Sequence, residues 1–309
     1  MKKINIIGHR GYGPTHSLPE GNPLNQHLPE NSIAAIKHAI DNGADGIEVD
    51  IQVTEDGVPV LLHDKDLYFH SFGRFGENVG KKPLPAYDDI KDIDIGGGNR
   101  IPSFDKLIEL LANYDRAIIV NLDVKDERSV EAITGYLNPL AEHISSQYVC
   151  SSYDWDLLAS FRAASRDIRL IPAIKSHILY GADNVLMPDY IPLTTRFDPD
   201  AKWTLQELHD RLGIDGLDCT FTDFQPELLD WAQEMGVGLQ VSTGNERVTA
   251  KNTDYDAINI MNRALTTSNI PFITCKVDEP DKVIAEFNRQ FCTPPNADTA
   301  GQEPSKLVM

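Results

Sequence analysis

Four polar clusters interrupt the β-rich runs of this chain: Gly8-His9-Arg10-Gly11, Glu48-Val49-Asp50, His63-Asp64 and Asn121-Leu122-Asp123-Val124-Lys125. Glu48 and Asp50 are two apart on a predicted strand, so their side chains share one face while Ile47, Val49 and Ile51 take the other. Asp123 and Lys125 repeat that spacing on a later strand, which adds a third carboxylate and an ammonium to the same end. Three converging carboxylates repel one another unless a cation holds them, and an all-oxygen ligand set suits a hard ion such as Mg²⁺ or Ca²⁺, with Mn²⁺ also admitted. His9 and His63 end separate strands, and unperturbed imidazoles titrate near 6.5, so the two can divide proton removal and proton delivery at neutral pH. Arg10 offers a planar fork to phosphate oxygens, and Lys125 offers a second cation. One divalent cation, two side-chain cations and two histidines together describe phosphoryl transfer.

The elements that must position these groups are short and regularly spaced. Strands are predicted over Ile4–Gly8, Gly46–Val53, Val58–His63, Ala117–Val124, Tyr148–Ser151, Ile168–Ile174, Gly216–Phe221, Gly238–Thr243 and Phe272–Val277. The Asp56-Gly57 turn joins the second and third as an antiparallel hairpin, which leaves eight units. Helical patterns separate them at Ser32–Asp41, Ser103–Ala112, Ser129–Leu140, Asp156–Ala164, Leu205–Leu212, Pro226–Gly236 and Asp281–Gln290. Such sustained alternation predicts an α/β fold of the (β/α)₈ TIM-barrel type, in which catalytic groups sit at the C-terminal ends of strands. A Rossmann-like sheet is disfavoured because no G-x-G-x-x-G follows the first strand.

Residues 64–102 are too long for a βα loop and read as a cap inserted after the second-strand hairpin. Residues 12–28 form a second long excursion, and the Pro-rich, apolar-poor stretch 293–309 reads as a flexible tail, so the predicted barrel domain spans 1–292. Within the cap, Gly96-Gly97-Gly98 precedes no Lys-Ser/Thr helix start and reads as a turn rather than a phosphate cradle. Pro29-Glu30-Asn31 leads into a helix that Ser32 can cap; Asn31 is also a candidate substrate contact, and Glu30 a direct or supporting one.

The 309 residues are 41% hydrophobic and 24% charged, which suits a globular core. Lys and Arg total 28 against 47 Asp and Glu, a net charge of −19. With no basic run longer than a pair, nucleic acid is excluded as a partner, and an anionic membrane surface would repel the chain. Cys150, Cys219, Cys275 and Cys292 are widely spaced and read as reduced thiols. No stretch has the ~20 apolar residues needed to span a bilayer, nor is there a signal-peptide core, so stable membrane insertion is not expected and the expected location is cytoplasmic.

His9-Arg10-Gly11, Pro29-Glu30-Asn31-Ser32, Gly43-Ala44-Asp45-Gly46-Ile47-Glu48-Val49-Asp50, Thr54-Glu55-Asp56-Gly57-Val58-Pro59-Val60 and His63-Asp64 occur in that order. The series resembles the glycerophosphodiester phosphodiesterase family. The resemblance is dense over residues 4–64, returns at 118–125 and thins toward Ser242-Thr243-Gly244-Asn245. It implies a TIM barrel with an inserted cap, one divalent metal on Glu48, Asp50 and Asp123, His9 and His63 as the acid-base pair, and Arg10 and Lys125 as phosphate contacts. Asp123 stands where the family usually has Glu, and Ser242 where it usually has Trp. The implied reaction is hydrolysis of a glycerophosphodiester, a small-molecule substrate, to glycerol 3-phosphate and an alcohol. The alternatives are a lysophospholipase D-like or sphingolipid phospholipase D-like phosphodiesterase and a non-catalytic phosphoester-binding barrel.

Overall fold

The computed structural model describes residues 4–13, 28–63, 84–137, 148–174, 205–221, 224, 226–243 and 254–291. Along the chain these form β1 (Asn5–Gly8), α1 (Ile33–Asp41), β2 (Gly46–Val53), β3 (Pro59–Leu61), α2 (Tyr87–Ile90), β4 (Asp94–Gly96), β5 (Asn99–Arg100), α3 (Phe104–Leu111), β6 (Ile119–Val124) and α4 (Ser129–Leu137). They continue with β7 (Tyr148–Ser152), α5 (Trp155–Ala164), β8 (Arg169–Pro172), α6 (Leu205–Leu212), β9 (Gly216–Thr220), α7 (Pro226–Met235), β10 (Gly238–Ser242), α8 (Asp254–Thr267), β11 (Ile273–Val277) and α9 (Pro280–Phe291).

Eight parallel strands lie in the order β8-β7-β6-β2-β1-β11-β10-β9. An isolated bridge between Ala173 and Asp218, with the Ile174 amide donating to the Asp218 carbonyl at 2.8 Å, brings the two ends together into a nearly closed barrel. The predicted TIM barrel is therefore the observed architecture. Strand parity explains it: Val120, Leu122 and Val124 of β6 are buried in the main apolar core, while Asn121 and Asp123 take the opposite face. Helices cover the apolar outer faces. In α1, Ala35, Ile36, Ala39 and Ile40 make the buried stripe, and Ser32 caps the helix by accepting from the Ala35 amide at 3.1 Å.

β3 pairs antiparallel with β2 through Ile51–Leu61, Gln52–Val60 and Val53–Pro59, as the Asp-Gly turn predicts. Residues 84–102 pack on this hairpin with a small apolar core of their own, formed by Val60, Leu62, Leu84, Ile90, Ile93, Ile95 and Ile101. Within it, Gly97 and Gly98 turn the chain between β4 and β5 at φ of 57° and 84°, backbone that favours glycine. Helix α8 was not among the helices read from the sequence; its polar composition masks Ile258, Met261 and Leu265, whose spacing of three and four buries one stripe. The rest of the cap segment (64–83), residues 14–27 of the excursion and the tail lie outside the described residues.

Candidate active site

The polar clusters meet at the C-terminal end of the barrel. β2 and β6 are paired with Asp50 opposite Asp123 and Glu48 opposite Asn121, so the two inward faces run side by side. Ligand atoms of Glu48, Asp50 and Asp123 all lie within 4.8 Å of one another. Glu48 and Asp50 are each 1% exposed. Burial pushes the Asp123 carboxyl up to about 6, an effect that Lys125 opposes and Asp50 and Glu48 reinforce. Burial acts the same way on Asp50, but Lys125, Arg10 and His63 outweigh it and hold that carboxyl well below the usual range. Asp123 Oδ1 is buried without a hydrogen bond. A buried, unsatisfied carboxylate oxygen in an all-oxygen trio fits a hard divalent cation.

Each neighbour of the trio is held by a specific bond. The turn after β1 places the Arg10 amide 2.9 Å from Glu48 Oε2, and Arg10 itself adopts φ 51°. Its guanidinium donates to Glu30 Oε1 at 2.9 Å and approaches Asp50 Oδ2 at 3.4 Å. Gly8 makes this turn feasible, because a Cβ there would stand 2.1 Å from the Gly11 carbonyl oxygen. Lys125 Nζ donates to Asp123 and lies 3.1 Å from Asp50 Oδ1. Burial alone would lower the Lys125 pKa, yet the Asp50 and Asp123 charges raise it, so the ammonium persists at neutral pH.

Asn31 is 1% exposed and closes on Asp50 with both ends of its amide: Nδ2 donates to Oδ2 at 2.9 Å, and Oδ1 accepts from the Asp50 amide at 3.0 Å. Asn31, expected as a substrate contact, is thus bonded to one of the three carboxylates. His63 is placed beside the trio, with its carbonyl accepting from Gln52 Nε2 at 2.9 Å and its ring within electrostatic reach of Asp50. His9 Nδ1 lies 2.7 Å from Asp278 Oδ1. Asp64, Gly244 and Asn245 fall outside the described residues.

Among the described residues, polar groups at this mouth that were not singled out from the sequence include Asp278 and Lys276 from β11 and its exit, Asp218 of β9, and Tyr153 after β7. Lys276 Nζ pairs with Asp218 Oδ2 at 3.0 Å, with both residues buried. The signal was present, since Lys276-Val277-Asp278 repeats at one strand end the polar alternation of Asp123-Val124-Lys125 at another.

Comparison with known proteins places this architecture. The sequence profile of the glycerophosphoryl diester phosphodiesterase family matches residues 9–279. The chain is 29% identical over 197 residues to a glycerophosphodiester phosphodiesterase from Caldanaerobacter subterraneus subsp. tengcongensis, covering 58% of this chain and 68% of that protein. It is 25% identical over 175 residues to the human glycerophosphodiester phosphodiesterase 1, covering 54% of this chain but only 47% of the human one. Its fold resembles that of an Oleispira antarctica phosphodiesterase solved in complex with the product sn-glycerol-3-phosphate, with a TM-score of 0.60 at 18% identity, covering 92% and 96% of the two chains.

Proposed function

The chain belongs to the glycerophosphoryl diester phosphodiesterase family, and from that premise we propose that it hydrolyses a glycerophosphodiester to sn-glycerol 3-phosphate and an alcohol at the site formed by the ends of β1, β2, β6 and β11. The observation that carries this reading is the convergence of Glu48, Asp50 and Asp123 within 4.8 Å, beside a histidine already paired with a carboxylate.

Glu48, Asp50 and Asp123 would hold one divalent cation, Mg²⁺ or Ca²⁺ with Mn²⁺ as a substitute, which when bound supplies positive charge opposite the phosphoryl oxygens. Arg10 and Lys125 set their charges on the same oxygens. With its Nδ1–H given to Asp278, His9 keeps Nε2 as an acceptor and takes the proton of the attacking oxygen, either of water directly or of the substrate's own 2-hydroxyl, in which case water then opens the cyclic phosphate to glycerol 3-phosphate. His63, on the Asp50 side, returns a proton to the leaving alkoxide. Asn31 orients Asp50 through both ends of its amide, and the remaining N–H of Nδ2 can still serve as a substrate contact.

The test is glycerol 3-phosphate release from glycerophosphocholine, glycerophosphoethanolamine and glycerophosphoglycerol with added Mg²⁺, Ca²⁺ or Mn²⁺. Release should disappear with chelator and fall at least ~100-fold in His63→Ala with the fold intact, the lower end of what a positioned acid-base group supplies. A near-normal rate in that variant would remove His63 from the mechanism. No release from any of the three by folded, cation-loaded protein would transfer the assignment to lyso-lipid substrates, or to a barrel that binds phosphoesters without cleaving them.

A further inference from the structure

One buried amide at the mouth has no part in the chemistry set out above. Gln52 follows Glu48 and Asp50 on the same face of β2, two residues further toward the C-terminal rim, and is 3% exposed. Its Nε2 donates to the His63 carbonyl at 2.9 Å. That bond settles which way the amide lies, since a carbonyl accepts only from the NH₂ end. Oε1 is then left buried with no hydrogen bond. Burying a bare amide oxygen is unfavourable, and an apolar side chain of the same size would fill the position without that cost. Packing therefore does not account for a glutamine here, whereas the bond to His63 does.

The bond falls where the hairpin ladder stops. β3 pairs with β2 as far as Leu61, and the Leu62 amide adds a bond to the Asp50 carbonyl at 3.0 Å. The Asp50 amide is not returned to the hairpin, because it donates to Asn31 Oδ1 at 3.0 Å. His63 is thus the first residue past the regular ladder, and a side chain takes over from the backbone in holding its carbonyl. Elsewhere the hairpin is held from outside. The Arg128 guanidinium donates to the Val53 and Thr54 carbonyls at 2.8 and 2.9 Å, and the Leu61 amide donates to the Pro102 carbonyl at 2.9 Å. With the hairpin fixed, the Gln52 bond sets the plane of the peptide that leaves His63, and with it the direction of the Cα–Cβ bond that carries the imidazole.

We infer that Gln52 is a positioning residue for the proton-donating step, setting the reach of the His63 imidazole to the leaving oxygen through the His63 backbone. This rests on the assignment of His63 as proton donor given above. In this role Gln52 acts on neither cation nor substrate. A reacting group displaced by ~1 Å can lose about 10²-fold in rate, so the effect of the bond is large for a step that needs the proton and small for one that does not.

The test compares two diesters that differ only in the leaving group, glycerophosphocholine and the p-nitrophenyl ester of glycerol 3-phosphate. The choline alkoxide needs a proton to depart, whereas p-nitrophenolate is a stable anion and does not. Both are assayed on the full chain with a saturating divalent cation, beside a thermal melt. Gln52→Met keeps the volume and deletes the donor, and Gln52→Asn keeps an amide that is one methylene short of His63, which covers the case of a methionine variant that folds poorly. Each should lower kcat for glycerophosphocholine about 10- to 100-fold with KM within about twofold, and should change kcat for the p-nitrophenyl ester by less than about threefold. His63→Ala should show the same preference for the activated ester. An unchanged kcat for glycerophosphocholine in the folded Gln52 variants would overturn the inference. So would an equal loss on both esters, the behaviour of a purely structural residue or of one acting on the cation. Discrimination in His63→Ala without discrimination in the Gln52 variants would overturn the role of Gln52 alone. If His63→Ala slows both esters alike, His63 is not the donor and Gln52 loses its task with it, while no release of either alcohol by the wild type would overturn the diesterase reading itself.

Discussion

His9 and Asp278 are 269 residues apart in the chain and 2.7 Å apart in space, Nδ1 to Oδ1. The contact exists because the first and last barrel strands are neighbours: β1 pairs with β11 from Asn5–Thr274 to Gly8–Val277, and the next residue on each strand is one member of the pair. The His9 amide donates to the Val277 carbonyl at 2.8 Å, which fixes the backbone from which the imidazole projects.

Asp278→Asn should therefore act on the rate and not on binding. An amide holds the imidazole less firmly and no longer favours the Nδ1–H form, so kcat for glycerophosphodiester cleavage should fall roughly 10- to 100-fold, with KM within about twofold and Tm little changed. Steady-state kinetics beside a thermal melt decide it. An unchanged kcat would remove Asp278 from the chemistry.

Asn31→Gly should weaken cation binding. Glycine keeps the backbone at φ 58°, which asparagine tolerates and most residues do not, so the variant isolates the lost amide. Without it, Asp50 loses the bond to Oδ2 and the one to its own amide. Outer residues that orient ligands are typically worth about 10- to 100-fold in metal affinity. A calorimetric Mg²⁺ or Ca²⁺ titration showing wild-type affinity would contradict this account of Asn31.

Cation affinity should depend on pH through Asp123. Its folded carboxyl is pushed up to about 6 by burial, with Asp50 and Glu48 adding to the effect, against about 3.9 in an unfolded chain. Between those values the folded state holds the extra proton, so this group's contribution to stability is full below pH ~4 and is lost as pH rises through about 6. A bound cation needs the ionised form and reverses that cost. Apparent affinity should fall by up to about tenfold per unit as pH drops below about 6, and the gain in Tm on adding cation should grow between pH 5 and 7. A flat profile across that range would show that Asp123 is not a ligand.

Gly8→Ala should disturb site and fold together. The added Cβ would stand 2.1 Å from the Gly11 carbonyl oxygen and 3.1 Å from Ala39 Cβ, so the His9-Arg10 turn has to move off α1. Overpacking of this kind costs about 1–3 kcal/mol, readable as a lower denaturant midpoint. Because the Arg10 amide bonds Glu48, cation affinity should drop in the same variant. Wild-type stability and affinity would show that the turn is more yielding than its packing indicates.

Much of this molecule was legible in the linear sequence. Alternation of apolar runs with helical patterns determined the barrel, and the period of two within β2 and β6 determined that Glu48 and Asp50, and separately Asp123 and Lys125, share a face, because side-chain direction along a strand is a local property. Helix α8 escaped because its buried stripe of Ile258, Met261 and Leu265 is sparse in a polar segment, and local patterns weigh composition before tertiary burial. Parity says which face a residue takes but not which strand lies beside it. Tertiary structure alone decided that Asp278 lies against His9, that Lys276 meets Asp218, and that Asn31 closes on Asp50. Each of these depends on which strands lie side by side and on the stagger between them, and the His9–Asp278 pair forms only because the eighth strand lies against the first.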